Sequence, residues 1–143
     1  MSDGTNYMKY VVIGVLVLGA GLVAWRNFGN SDEPGRSVGI VAPQQLSAAA
    51  ALGKKAFDTN CVQCHGANAA GTGKGPPLVH DYYNPGHHAD GAFYNAVMNG
   101  IRQHHWRFGN MPPQPHVGQD KTRMIIAYVR ELQEANGIVY KPH

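Results

Sequence analysis

Cysteine is nearly absent from this chain. It has two, Cys61 and Cys64, in 143 residues, which excludes a four-cysteine zinc or iron–sulfur site. Charge is also sparse, at 15% of residues, and lysine and arginine form no run. The chain therefore lacks the basic footprint of a nucleic-acid binder. The glycine-rich stretch Gly71-Thr72-Gly73-Lys74-Gly75 lacks the Gly-Lys-Ser/Thr ending of a phosphate loop. Histidine is missing before residue 65, and seven of the eight lie between His65 and His116. No two of them stand in a His-x-x-x-His helical pair.

What is present begins with Cys61-Val62-Gln63-Cys64-His65-Gly66. Cys-x-x-Cys-His is the signature of covalent c-type haem attachment. The two thiols close thioether bonds to the vinyl groups, and His65 supplies the proximal nitrogen. A redox dithiol is the competing reading. It needs a strand ahead of the motif and a βαβ setting, and neither is visible. A globular part of about 95 residues is marginal on apolar side chains alone. A covalently held, largely apolar macrocycle supplies the missing core.

Residues 1–9 are polar and end in Lys9. Tyr10 to Trp25 then runs sixteen residues without charge, closed by Arg26. We read 10–28 as a transmembrane anchor, with Tyr10 and Trp25 at its interfaces and Lys9 on the cytoplasmic side. A cleaved signal is the alternative, opposed by Leu22 and Leu18 at the positions where small residues belong. Gly29 to Pro43 is rich in Gly, Ser and Pro, so 29–44 reads as a flexible linker.

The globular part, 45–137, predicts three main helices. Gln44–Asn60 is rich in Ala and Lys, with Ser47 as N-cap and Leu52, Ala56, Phe57 and Cys61 near one face. Gly53 reads as the place where another helix crosses closely. Asp90 to Asn99 forms a short helix capped by Asp90 and Gly100. Gln119 to Asn136 is the clearest helix. Asp120 caps it, Ile125, Tyr128, Val129 and Leu132 form its apolar face, and Arg130 is among the residues facing water. Residues 138–143 are a short tail. One carbonyl of the 67–77 loop is expected to hold Nδ1 of His65, stiffened by Pro76 or Pro77.

The second strong signal is His104-His105-Trp106-Arg107-Phe108-Gly109-Asn110-Met111-Pro112-Pro113. Met111 is the candidate for a second axial ligand: a soft thioether that favours ferrous iron, in a loop held by two prolines. His104 or His105 competes for that position. Trp106 and Arg107 are candidates for the propionate edge, where a charged group needs donors. His87, His88, His104, His105 and His116 also admit a second metal site, although no carboxylate stands beside them as a clear co-ligand.

Taken together, Gly53-Lys54-Lys55-Ala56-Phe57, the Cys61–Gly66 motif, Gly75-Pro76-Pro77-Leu78, Tyr94 with Asn99-Gly100, Gly109-Asn110-Met111-Pro112 and Ala127-Tyr128-Val129 resemble the class I cytochrome c family. The likeness is to its membrane-anchored bacterial monohaem form and covers about residues 45–135. The resemblance implies an all-α fold of about three to five helices around one covalent haem c, with an N-terminal transmembrane helix. It implies Cys61 and Cys64 as attachment sites, His65 and Met111 as iron ligands, and Pro77 as the proline behind the proximal histidine. Gly53 and Phe57 would meet Tyr128 and Leu132 where the first and last helices cross. The His104–Arg107 stretch departs from the general pattern.

The implied function is outer-sphere electron transfer by a carrier that is not an enzyme. The chain would sit in the bacterial inner membrane as a single-pass protein, bound to the lipid bilayer, with its haem domain in the periplasm. It would serve respiratory or photosynthetic complexes, such as a quinol-oxidising complex and a terminal oxidase, or a periplasmic dehydrogenase. Two alternatives stand beside this: a haem subunit or sensor with an open or displaceable axial site, and a histidine-cluster metal-binding protein.

Overall fold

In the computed structural model, residues 3–28 and 39–142 are described, with side chains from 8–21 in the first helix. Residues 29–38 of the expected linker, and the Trp25 side chain expected at an interface, lie outside the described residues. The chain divides into two units, 1–33 and 34–143.

The first unit carries α1, Asp3–Phe28. Among the described residues no helix is long and apolar enough to cross a membrane. The expectations of a transmembrane anchor at 10–28, a single-pass inner-membrane location and a periplasmic haem domain are corrected accordingly. The physical reason is the length of the uncharged stretch, not that of the 26-residue helix. The uncharged run between Lys9 and Arg26 gives about 24 Å of helix, against a hydrocarbon core of about 30 Å. Three glycines at 14, 19 and 21 thin its hydropathy further.

The second unit is all-α. Its helices are α2 (Ala48–Asn60), α3 (Val62–His65), α4 (Asp90–Asn99) and α5 (Gly118–Ala135), with 3-10 turns at Ala67–Ala69, Asp81–Tyr83 and Pro115–Val117. The β structure among the described residues is two isolated antiparallel bridges, Thr72 with Gly75 and Ile101 with Met111.

α2 starts where Ser47 Oγ accepts from the Ala50 amide at 3.1 Å, which satisfies a helix-end donor. Its buried face is Ala50, Gly53 and Phe57, and Leu52, expected on that face, is half exposed at 50%. α2 packs on α5 with almost no separation at Gly53. A Cβ there would stand 1.8 Å from the Met124 carbonyl oxygen, so only glycine admits the crossing. Phe57 meets Tyr128 edge-on, ring centres 5.6 Å apart, in a preferred aromatic geometry. Phe57, Tyr128, Val129 and Leu132 are fully buried, and large apolar side chains of this kind each contribute about 1.5–3 kcal/mol.

Two expected caps are absent. α4 begins after Ala89 without a side-chain cap, and α5 continues from the 115–117 turn without one. Asp90 instead pairs with Arg130 at 2.9 Å. Arg130 does not face water as expected. Its guanidinium donates to the Tyr83 carbonyl (2.8 Å), the His88 carbonyl (2.6 Å) and Gln133 Oε1 (2.7 Å), and it lies 4.9 Å from the Phe93 ring centre. α5 thus gathers α2 on one side and the 80–90 loop on another.

Candidate functional site

α2 ends at Asn60, and the chain turns at Cys61 into the single turn of α3. The His65 amide donates to the Cys61 carbonyl at 2.9 Å, which places His65 one turn beyond Cys61. Gly66 then breaks the helix at φ +73, where a Cβ would stand 2.4 Å from the Gly71 carbonyl oxygen. The loop folds back so that Thr72 Oγ1 donates to the Cys64 carbonyl at 2.6 Å. This return brings the Pro76 carbonyl to 2.9 Å from His65 Nδ1. A carbonyl only accepts, so Nδ1 carries the proton and Nε2 carries the lone pair.

Cys61, His65, Trp106 and Met111 line one cavity of about 280 Å³. Its walls are largely apolar and include Phe57, Leu78, Phe93 and Ile125. Three other candidates are placed differently. Cys64 sits in α3, half buried, and is not a lining residue. Pro77 is buried behind the wall, and the carbonyl on His65 belongs to Pro76. Arg107 is exposed and does not line the cavity.

Burial lowers the His65 pKa, opposed in part by the Pro76 hydrogen bond, so its imidazole is neutral and fit to ligate. Burial and the neighbouring Cys64 push the Cys61 thiol up to about 11. That holds it protonated, which disfavours a reactive dithiol because the thiolate is the nucleophile.

Trp106 Nε1 is buried without a hydrogen bond of full geometry, and the nearby Tyr83 phenol oxygen is only a loose acceptor for it. Burial raises the nearby Tyr83 phenol to about 12, and Trp106 opposes that rise only in part. An unsatisfied buried donor costs about 1–3 kcal/mol. A ligand with an acceptor at the cavity edge removes that cost. An apolar cavity, the Cys61 thiol on its wall with Cys64 one turn on in the same motif, an imidazole with a fixed tautomer and a poorly satisfied indole donor fit a haem with its propionates.

Beside this cavity the histidines converge. His87, His88 and His105 each offer a ring nitrogen, all within 4.8 Å of one another. His88 and His105 also line the cavity. Burial lowers the pKa of both, and the neighbouring imidazoles lower it further. The sequence showed the pairs His87-His88 and His104-His105 without showing that they meet. α4 separates them in the chain. Tyr82 and Arg130, which hold this cluster, carried no signal of that role in the sequence.

The family model for cytochrome c matches residues 50–133. The Cbb3-type cytochrome c oxidase subunit FixP of Rhizobium meliloti (strain 1021) is 35% identical over 100 residues, covering 67% of this chain and 34% of that protein. The chain thus spans about a third of the length of that relative. No solved structure matches.

Proposed function

The chain belongs to the cytochrome c family, whose members carry electrons and are not enzymes, and on that premise we propose a single-electron carrier built on one covalent haem c. When bound, the haem supplies the one-electron iron couple. Cys61 and Cys64 would tether it, and His65 and Met111 would hold its iron. Cys61, His65 and Met111 around one apolar cavity is the observation that carries this reading. The Pro76 carbonyl holds the His65 ring in its ligating tautomer and raises its basicity. Phe57 and Ile125 keep water from the cavity. Trp106 would donate to a propionate.

The partner follows in kind from the relative's name, a subunit of a cbb3-type cytochrome c oxidase. We take the electron acceptor to be a respiratory redox complex of the terminal-oxidase class. A quinol-oxidising complex is the corresponding donor. No run of lysines is available for strong steering, so association is expected to depend weakly on salt.

An absorption spectrum tests the ligand set. Oxidised protein should show the near-infrared sulfur-to-iron charge-transfer band, and Met111→Ala should lose it. Absence of the band in the native chain, with rapid carbon monoxide binding to the reduced form, overturns the Met111 assignment.

A second reading has one observation in its favour. The convergence of His87, His88 and His105 supports a metal-binding role at the histidine cluster, in addition to the haem or in place of the closed carrier.

A further inference from the structure

We propose that His87, His88 and His105 are the three protein ligands of one imidazole-preferring divalent ion, zinc(II) or copper(II), at the rim of the haem cavity. This rests on the second reading above and gives it ligands, an ion class and a supporting shell.

Nitrogen spacing is the first argument. His87 Nε2 and His105 Nε2 are 3.1 Å apart. Without an ion, one ring must donate a proton to the other. An ion bound at about 2.0–2.1 Å to each nitrogen sets tetrahedral ligands about 3.3 Å apart, so it replaces the shared proton with little movement. One ring nitrogen of each of the three histidines lies within 4.8 Å of the others, so His88 is close enough to complete the set.

The second argument is orientation. His88 Nδ1 meets the Tyr82 carbonyl at 2.5 Å. That carbonyl fixes the proton on Nδ1 and leaves the Nε2 lone pair for an ion, the arrangement by which metal-ligating histidines are usually held. Tyr82 also stacks on the His105 ring, centres 4.6 Å apart at 22°. One residue therefore positions two ligands. The His87 and His88 amides both donate to the Asn84 carbonyl, at 3.0 and 2.8 Å, and Asn84 is buried. The loop is set before any ion arrives.

The ion class follows from the donors. Three imidazoles without a carboxylate favour zinc and copper over magnesium and calcium, which take oxygen. Three protein ligands leave a fourth position for water or an exogenous group.

The test uses the full chain with its haem. Zinc chloride and copper(II) chloride are titrated separately by calorimetry, with magnesium chloride as a third arm. One zinc or copper ion per chain is expected, and no magnesium. The His87→Ala/His88→Ala/His105→Ala variant should lose at least about 100-fold in affinity, since removing ligands exceeds the 10–100-fold cost of outer-shell changes. His116→Ala should retain the native affinity. Electron paramagnetic resonance of the native copper-loaded chain should show coupling to imidazole nitrogens, which needs no variant to fold. Tight binding that survives the triple substitution overturns the ligand assignment but leaves the metal-binding reading standing. Absence of stoichiometric binding to the native chain overturns both, and the haem spectrum then still tests the electron-carrier reading.

Discussion

Arg130 Nη2 donates to the His88 carbonyl at 2.6 Å, tying the last helix to the loop that carries two of the three clustered imidazoles. The same guanidinium holds the Tyr83 carbonyl and Asp90. The Asp90 contact is partly exposed, so the buried carbonyl contacts matter more. Arg130→Met keeps the apolar stem and removes the donors. It is expected to weaken zinc or copper binding about 10-fold, as loss of an outer-shell partner does, while the haem spectrum is unchanged. Calorimetric titration of the haem-loaded variant checks this. Native affinity would show that the loop holds its shape without Arg130.

Gly53→Ala should destabilise the protein strongly. The added methyl meets a backbone carbonyl, which cannot rotate away as a side chain can. Overpacking costs about 1–3 kcal/mol where neighbours can yield, and this contact should reach the top of that range. Urea unfolding followed by circular dichroism measures it. A midpoint within error of the native one would mean that α2 and α5 slide apart freely.

Trp106→Phe fills similar space but lacks the indole N–H. Losing a donor to a carboxylate favours its protonated form. The propionate pKa should rise, and the pH at which the haem midpoint potential begins to fall should rise with it. Redox titration across about pH 5–9, a span that covers a perturbed carboxylate, reads the shift. An unmoved profile would place the propionate away from Trp106.

Tyr83 and Tyr128 predict the alkaline limit of stability. Burial raises both phenols to about 12, from an ordinary value near 10. Above pH ~10 the unfolded chain releases protons that the folded chain still holds, so stability falls with rising pH. The contribution is intact below the unfolded value and is lost as pH rises through the folded one. Urea midpoints at neutral pH and at pH ~11 should differ, and Tyr128→Phe should narrow the difference. That variant also loses the 3.2 Å bond to Asn68, about 1 kcal/mol at every pH.

Local chemistry was readable wherever one residue type admits one explanation. Gly53 in an otherwise good helix signalled a crossing, and Phe57 with Tyr128 now fills it. Ser47 signalled a cap and makes one. Positions decided by remote partners were not readable. Arg130 sits among charged residues in the sequence, yet Asp90, Tyr83 and His88, which it holds, are 40 to 47 positions away. Asp90 looked like a cap because nothing local revealed that Arg130 would claim it. His87 and His105 are separated by 18 positions and a helix, so periodicity could not bring them together. The anchor failed on a quantity rather than a pattern: the uncharged run is short for a bilayer, and extending it to 10–28 takes in Arg26 and Asn27.

The Ile101–Met111 bridge has a consequence for how this chain can vary. Its two backbone hydrogen bonds, 3.0 and 2.9 Å, close residues 102–110 into a loop anchored at its own base. The loop holds His104, His105 and Trp106, and the methionine stands at the closing residue rather than within it. The segment is therefore a cassette. Its exposed positions can change while Met111 keeps its place on the cavity wall, provided that Trp106, which belongs to that wall, is kept.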